Sequence, residues 1–584
     1  MATANDIKLT GNPEIDQFFS GGIRLLPTEG NTYYWHMPNE VHSSVTTVEP
    51  ITNELAKNMV REALQQISNV ININFQEVNY SVSNTGGFDI LSGTDLYPME
   101  GGISLNSEQS DATIQFLNNY SDTNTSISSK ARTITMHEVL HLLGFDDGPI
   151  SRNPDYTTVD SVMSYNSLID DRYGEKVRSY VYDENGSQMD GTSWATTDTL
   201  GIYDIQAIQS IYGANYNYNA GNTVYKYTPE TLKNFQTIWD GGGIDTIDAS
   251  EFILGVELNL NDGTRSNLFI KDYSWNGYEY DGTRAIGIAY GANIENAIGG
   301  QGNDVIYGNE LNNVISGNDG NDILYGADGD DTLDGGSGTN TLYGGSGNDR
   351  LISKGSDTLY GGDGNDRYEI SGTDFRIIEE QNGGFDTIDI YSFDAATYVM
   401  PEHVENIRLN TGWDINSNLT GNDLDNSIHG NFGNNILIGG KGNDSLVGYR
   451  GSDTYIFSKG DGRDTIDEYN NNNVPATDTD ILLFNDISID QLWFSKYSSW
   501  GDESLLINVL GTTDQVTVYG WYTNNAKLEQ IKTQDGVTLS IDQIESLVDI
   551  MANQTMPLAN NSTIIDDYLM VQTSMIMGHH HHHH

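Results

Sequence analysis

The chain has 584 residues, with 27 Lys and Arg against 83 Asp and Glu, a formal charge of −56, and no cysteine. That charge repels nucleic acid and anionic membranes, and the absence of thiols excludes disulfides, thiolate metal sites and cysteine nucleophiles. The length suffices for two or more domains with hydrophobic cores, no apolar run is long enough to span a membrane, and abundant aromatic and β-branched residues argue against disorder. So many carboxylates on a folded chain await divalent cations, because unneutralised they oppose compaction.

Met1 to Asp16 is polar and lacks the basic start and apolar core of a secretory signal peptide; residues 1–16 are taken as a leader or vestigial propeptide. Thr32-Tyr33-Tyr34-Trp35-His36 reads as a first strand. Thr52 to Ile67 reads as an amphipathic helix, with Leu55, Met59, Ala63 and Ile67 on one face. Ile71, Ile73 and Phe75 alternate with polar residues, as in a half-buried strand. Asp89-Ile90-Leu91 and Thr113-Ile114-Gln115-Phe116 are further strands, the latter a candidate edge against which a peptide could lie. His36 and His42 fall in no ligand spacing and are assigned structural or surface roles.

The segment His137-Glu138-Val139-Leu140-His141-Leu142-Leu143-Gly144-Phe145-Asp146-Asp147 carries the chemistry. Histidines at i and i+4 of a helix share a face, so both imidazoles can reach one ion, and zinc suits nitrogen and oxygen ligands in a tetrahedron. Glu138 is placed to take a proton from a water held by that metal. Gly144 lets the chain turn out of the helix, and Asp147 arrives where a third ligand is needed. The pattern resembles the metzincin zinc-peptidase signature His-Glu-x-x-His-x-x-Gly-x-x-His, with Asp147 in place of the last histidine. A carboxylate is a good zinc ligand, and its charge makes the metal a weaker Lewis acid. Ser161-Val162-Met163-Ser164-Tyr165 resembles the metzincin Met-turn, with Met163 beneath the ligands. In the serralysin branch of that family, the tyrosine matched by Tyr165 ligates zinc or stabilises the oxyanion.

Other segments extend the serralysin resemblance. Asn12-Pro13-Glu14-Ile15-Asp16 with Phe18, Phe19 and Gly21 is similar to the opening of mature serralysins. Arg172 to Thr192 reads as a polar surface loop at the cleft rim. Asp198 to Tyr212 reads as a helix with Ile205, Ile208 and Ile211 or Tyr212 inward, similar to the last helix of the serralysin catalytic domain. A domain boundary is expected at Asn215 to Asn222. Beyond it, the glycines near Asp240 and Asp245 free carbonyls to face an ion. The resemblance implies calcium ligation by Asp240, Gly242, Gly243, Asp245 and Glu295.

From Gly299 the chain steps in nines, with units at Gly308, Gly317, Gly326, Gly335 and Gly344, a shortened one at Ser353 and a full one at Gly361. A second block has units at Gly421, Gly430, Gly439 and Gly448. This is the repeat-in-toxin pattern Gly-Gly-x-Gly-x-Asp-x-U-x, with U apolar. Six residues form a glycine-rich turn and three a short strand, and stacked units make a parallel β-roll with rows of oxygen cages. The sixth-position carboxylates Asp304, Asp322, Asp331, Asp349, Asp357, Asp366, Asp444 and Asp453 are the expected calcium ligands. Asn313, Asn340, Asn426 and Asn435 occupy the same position without charge, so their cages are expected to be weak or empty. One apolar side chain per turn cannot offset the chain entropy, and folding is expected to depend on calcium. Tyr368 to Asn418 lacks the period and reads as a small sandwich or a continuation of the roll. Strands are expected around Leu483-Phe484, Leu505-Leu506-Ile507 and Val516-Thr517-Val518. A helix is expected at Ile541 to Met551, with Ile541, Ile544, Val548 and Met551 on one side.

The fold expected is an α+β metzincin catalytic domain followed by a parallel β-roll/β-sandwich repeat-in-toxin domain. Residues 17–220 are assigned to a metzincin-like zinc protease domain, 221–370 to the first calcium-binding roll block, and 371–478 to a β-rich linker with the second block. Residues 479–578 are assigned to a β-rich module with a type I secretion signal, and 579–584 to a His tag. The resemblance implies a secreted, extracellular or surface-associated, monomeric zinc endopeptidase stabilised by calcium. It would act on protein or peptide substrates and engage the type I secretion machinery, without nucleic acid and without membrane insertion. The rival reading is a catalytically weak or inactive surface-layer or adhesin-type calcium-binding protein on a protease scaffold.

Overall fold

The computed structural model describes residues 31–36, 54–79, 88–93, 102–105, 112–117, 136–137, 139–141, 143–145, 160–162, 197–232, 234–269, 282–392, 394–410, 414–468, 478–499, 501–523 and 526–557, with short strand pieces at 2–3, 23–24, 48–49, 181–182 and 188–189. Glu138, Asp147, Met163 and Tyr165 lie outside the described residues, as do His42 and all but the first residues of the expected secretion signal, the tail beyond Asn553. The chain divides into two compact units, 1–310 with 314–320, and 311–313 with 321–584.

In the first unit, β1 (Thr32–His36) is flanked by parallel strands. Helix α1 (Glu54–Val70) leads into β2 (Asn74–Glu77), and β3 (Phe88–Gly93), β4 (Gly102–Leu105) and β5 (Ala112–Leu117) continue the sheet, with the short piece Val48–Glu49 pairing antiparallel to β3 as a sixth strand. The strand order is β2-β1-β3-β5-β4. Ala63 and Ile67 of α1 are buried as their spacing predicts, together with Val60, Leu64 and Val70. The helix therefore lays a stripe at i, i+3, i+4 and i+7 on the core. One expectation is corrected: β5 is not an edge. It pairs parallel with β3 on one side and antiparallel with β4 on the other. The short alternating Gly102-Ile103-Ser104-Leu105 takes the outer place.

Helix α2 (Ile202–Tyr212) starts later than its periodicity predicts. Thr197 Oγ1 donates to the Thr199 carbonyl in a local turn, and Gly201 is the N-cap. Ile205 and Ile208 are buried as expected, joined by Ile202 and Ala207. The segment 181–189, within the expected surface loop, contains a short antiparallel pair, Val181–Tyr182 with Gln188–Met189.

Each unit contains parallel β-roll strands within residues 224–466. In the first unit Thr246–Asp248, Asn296–Ile298 and Val314–Ser316 stack in parallel register. In the second, two faces build up from Ile323–Asp328, Thr341–Ser346 and Thr358–Asp363, and from Thr332–Asp334, Arg350–Ser353 and Arg367–Ile370. Each turn delivers one apolar residue inward: Leu324, Leu333, Leu342, Leu351 and Leu359 are fully buried. On the outside, the rings of Tyr325, Tyr343 and Tyr360 stack at 4.8 and 4.6 Å.

Between the repeat blocks the roll continues and no separate sandwich forms among the described residues. Thr387–Ile390 and Asn406–Leu409 extend one face to Ser427–His429, and Thr397–Val399 opens another toward Asn418–Thr420. The expected later strands are present as Ile481–Phe484, Asp502–Val509 and Gln515–Val518. Helix α3 (Ile541–Met551) closes the described chain, burying Ile544, Leu547, Val548 and Met551.

Candidate metal centres

Met136 to His141 is helical where described, and the helix ends at Gly144, whose φ is +104°. The Phe145 amide donates to the Leu140 carbonyl and the Gly144 amide to that of His141, both at 3.0 Å. This is a Schellman cap, with the Phe145 and Leu140 side chains buried beside it. The cap turns the Phe145 carbonyl back toward the helix, where it accepts a 3.0 Å hydrogen bond from His141 Nδ1. His137 Nδ1 donates to the Val162 carbonyl at 2.9 Å.

A carbonyl can only accept, so both Nδ1 atoms carry protons. In the neutral tautomers each Nε2 therefore presents a lone pair. These two atoms lie 3.1 Å apart, with the rings at 90°. Two lone pairs that close repel unless a cation or a proton stands between them. The spacing suits two nitrogens on one tetrahedral ion with bonds of about 2.0–2.1 Å, and backbone carbonyls on the far nitrogens are the usual support for such ligands. The donor set fits zinc.

Sequence reasoning missed what holds His137 in place. Asp204 on α2 is fully buried. Its Oδ1 accepts from Ser161 Oγ at 2.6 Å, and its Oδ2 accepts from the Val162 and Gly201 amides at 2.8 Å. Burial pushes its carboxyl up to about 6, against the pull of these three donors. Gly201 is required here, because a Cβ would stand 2.1 Å from the Asp160 carbonyl oxygen. Asp160 itself is clamped by Arg284 Nη2 at 2.7 Å and Arg265 Nε at 3.4 Å. Tyr212 Oη, also on α2, donates to the Leu143 carbonyl at 2.8 Å. One helix thus fixes both the end of the histidine helix and the turn that supports His137. The sequence signals only the local pairing of Asp204 with Gly201 at the helix start, not its reach to Ser161 and Val162.

Five of the eight repeat carboxylates expected to bind calcium share one construction. Oδ1 of Asp331, Asp349, Asp444 and Asp453 accepts the backbone amide of Asn313, Asp331, Asn426 and Asn435, respectively, at 2.6–2.8 Å. Oδ2 of each, and of Asp366, is buried without a hydrogen-bond partner. Buried oxygens of this kind are costly unless a cation satisfies them. Burial pushes Asp349 and Asp366 up to about 6, Asp331 and Asp444 to about 7 and Asp453 to about 8. The first glycine of each unit makes the room: a Cβ on Gly344 would lie 2.3 Å from Asp349 Oδ2, and one on Gly439 2.2 Å from Asp444 Oδ2.

The remaining expected ligands are placed as follows. Asp304 accepts the Val256 amide at 2.7 Å and the Gly300 amide at 2.6 Å. Asp322 is buried, and its amide donates to Asn340 Oδ1 at 2.9 Å. Asp357 differs, because Ser353 Oγ donates to its Oδ2 at 2.7 Å. Near the start of the roll, Asp240 accepts from Tyr225 Oη and the Gly242 amide. Asp245 Oδ1 accepts the Thr223 amide, its Oδ2 has no partner, and its amide donates to Glu295 Oε2 at 2.7 Å. Gly242 and Gly243 take φ of +132° and +146°.

At the asparagine positions of the second block the amide replaces the ion. Asn435 Nδ2 donates to the Ser417 carbonyl at 2.7 Å and to Asn431 Oδ1 at 3.1 Å, and Asn426 Nδ2 donates to the Val404 carbonyl. Asp464 was not singled out by the sequence reading, yet its Oδ2 is a buried orphan and burial pushes it up to about 8. Its segment Gly460-Asp461-Gly462-Arg463-Asp464 lacks the first glycine of a unit and sets Asp464 eleven residues after Asp453, which hid it from a nine-residue period.

Among known families, the chain matches the RTX calcium-binding nonapeptide repeat at residues 291–324, 298–333, 316–351, 343–369 and 420–455. It also matches the haemolysin-type calcium binding protein related domain at 505–543. Metallopeptidase AprA of Pseudomonas marginalis is 32% identical over 278 residues, covering 42% of this chain and 52% of its own. Serralysin of Photorhabdus laumondii is 32% identical over 288 residues, covering 44% and 54%. Serralysin B of Dickeya chrysanthemi is 30% identical over 331 residues, covering 50% and 60%. The chain spans about half the length of the first two relatives. Among solved structures, extracellular lipase LipA of Serratia marcescens aligns at 17% identity over 49% of this chain and 42% of its own with a TM-score of 0.13, too slight a likeness to inform the fold. Such relatives imply zinc and such repeats imply calcium: the chain is serralysin-like, with RTX calcium-binding repeats in a parallel β-roll.

Proposed function

We propose that the chain is a secreted, extracellular zinc endopeptidase whose C-terminal roll is folded by calcium. The observation that carries this reading is the pair of Nε2 atoms 3.1 Å apart, each set by a carbonyl on the opposite nitrogen. His137, His141 and Asp147 would hold the metal, with Gly144 turning the chain between them. When bound, zinc acidifies a water and polarises a carbonyl. Glu138 accepts the proton of the attacking water and returns it to the leaving amine. Tyr165 donates a hydrogen bond to the oxygen that gains charge, and Met163 supports the ligands from below. The outer side of β4 offers backbone groups to which an extended peptide could add as a strand.

The calcium sites give this function a switch. In a calcium-poor cytosol the acidic roll repels itself and stays unfolded, suited to a type I export channel, and outside the cell it folds. The test is zinc analysis with a casein assay on the full chain and its Glu138→Ala variant. Equal zinc content with activity in the parent alone is expected. Stoichiometric zinc with no turnover of any unfolded protein by the parent would support the binding-protein alternative instead.

A further inference from the structure

The first run of repeat units ends at Asp366; the next glycine turn, Gly383-Gly384-Phe385-Asp386, stacks its glycines on Gly362 and Gly364, and between the two turns Glu379 enters as a further carboxylate. We propose that Asp366, Glu379 and Asp386 form a cation site that closes this block and takes calcium, in which Glu379 adds a third carboxylate to the aspartates of two successive turns. These are the only three acidic or histidine side chains among the described residues whose ligand atoms gather this way, all within 4.8 Å of one another, and all three are buried.

Two oxygens in the pocket point to a ligand. Asp366 is 1% exposed and Glu379 8% exposed, yet Asp366 Oδ2 and Glu379 Oε2 have no hydrogen-bond partner. The surrounding bonds leave these oxygens in the pocket. Asp366 Oδ1 accepts the Asp349 amide and Asp386 Oδ1 accepts the Asp366 amide, each at 2.8 Å. Tyr368 Oη donates to Glu379 Oε1. Gly361 leaves the space, because a Cβ there would meet Asp366 Oδ2 at 2.2 Å and Glu379 Oε1 at 2.4 Å. The backbone explains the convergence. Glu379 follows the strand Arg376–Ile378, which stacks on Thr358–Tyr360, and Asp386 precedes Thr387–Ile390, which stacks on Arg367–Ile370.

The second block repeats the pattern at its own end. Asp453 Oδ2 is a buried orphan, Tyr455 Oη donates to the buried Glu468, and the Asp453 amide donates to Asp480 Oδ1. In both places a tyrosine two residues after the aspartate of the last full repeat orients a glutamate. Oxygen-only donors with three carboxylates suit a hard divalent cation, and the charge count favours tight binding.

The test is the calcium content of the full chain after dialysis at low free calcium, together with its calcium-dependent folding by circular dichroism. The variants are Glu379→Gln, which keeps an acceptor for Tyr368, and Asp386→Asn, which keeps one for the Asp366 amide. Either is expected to lose one tightly held calcium per chain and to need about tenfold more calcium to fold. Unchanged calcium content and midpoint in both variants would overturn the site. Failure of both isosteric variants to fold at saturating calcium would assign the pocket a purely structural role and overturn it equally. Neither readout depends on peptidase activity.

Discussion

Replacing Asp204 with alanine tests the support behind His137. The substitution leaves two buried backbone amides, those of Val162 and Gly201, and the Ser161 hydroxyl without their acceptor. Each orphaned donor costs roughly 1–3 kcal/mol, and the relief of a buried carboxylate offsets part of the sum, so a loss of roughly 3–5 kcal/mol is expected. The local consequence is sharper. The turn that presents the Val162 carbonyl loses its tie, His137 Nδ1 loses its fixed partner, and zinc affinity should fall about 10- to 100-fold. Asp204→Asn is the informative control. Its amide oxygen can still accept both backbone donors, and Ser161 can rotate to accept from the new amide, so zinc affinity should stay within about threefold of the parent. The assay is competition for zinc with a chromogenic chelator, on protein folded in calcium. Alanine and parent chains releasing zinc at the same chelator concentration would refute the relay from α2 to the metal.

Protons should partly substitute for calcium. The carboxyls of Asp331, Asp444, Asp453 and Asp464 are raised by burial from 3.8 to between about 7 and 8 in the folded chain. A group raised on folding contributes stability that is complete below its unfolded value and is lost as pH rises through its folded value. In chelator, the β-sheet signal in circular dichroism should therefore be stronger at pH 5 than at pH 8, and calcium should abolish the difference; a flat profile in chelator would contradict this. Gly344→Ala places a Cβ 2.3 Å from Asp349 Oδ2 and 2.6 Å from the Gly361 carbonyl oxygen. It should cost roughly 1–3 kcal/mol in denaturant unfolding with calcium present, whereas Gly221→Ala, with nothing within 4 Å, should be silent. Asn435→Asp sets a carboxylate against the Ser417 carbonyl oxygen that the amide now serves. It should make that turn calcium-dependent, raising the calcium needed for folding and adding one bound ion by dialysis.

The repeats were legible because their chemistry is local: a glycine at a fixed offset from an aspartate specifies the turn without reference to distant sequence. The histidine helix was legible for the same reason, its capping glycine included. What escaped the sequence lies in contacts across long separations. Asp204 meets Val162 across 42 residues, and nothing in its own segment announces a partner there. The outer place of β4 was hidden because Gly102-Ile103-Ser104-Leu105 is too short and glycine-led to read as a strand. Asp464 and Glu379 escaped because the nine-residue period breaks before each of them.

The column of Tyr325, Tyr343 and Tyr360, with near-parallel rings at 5° and 13°, follows the register of the strands beneath it. Phenols stacked so closely couple their electronic transitions, so their near-ultraviolet signal exists only while three successive coils of the roll are wound in step. The molecule thereby carries a built-in optical gauge of its own assembly, readable without any attached dye.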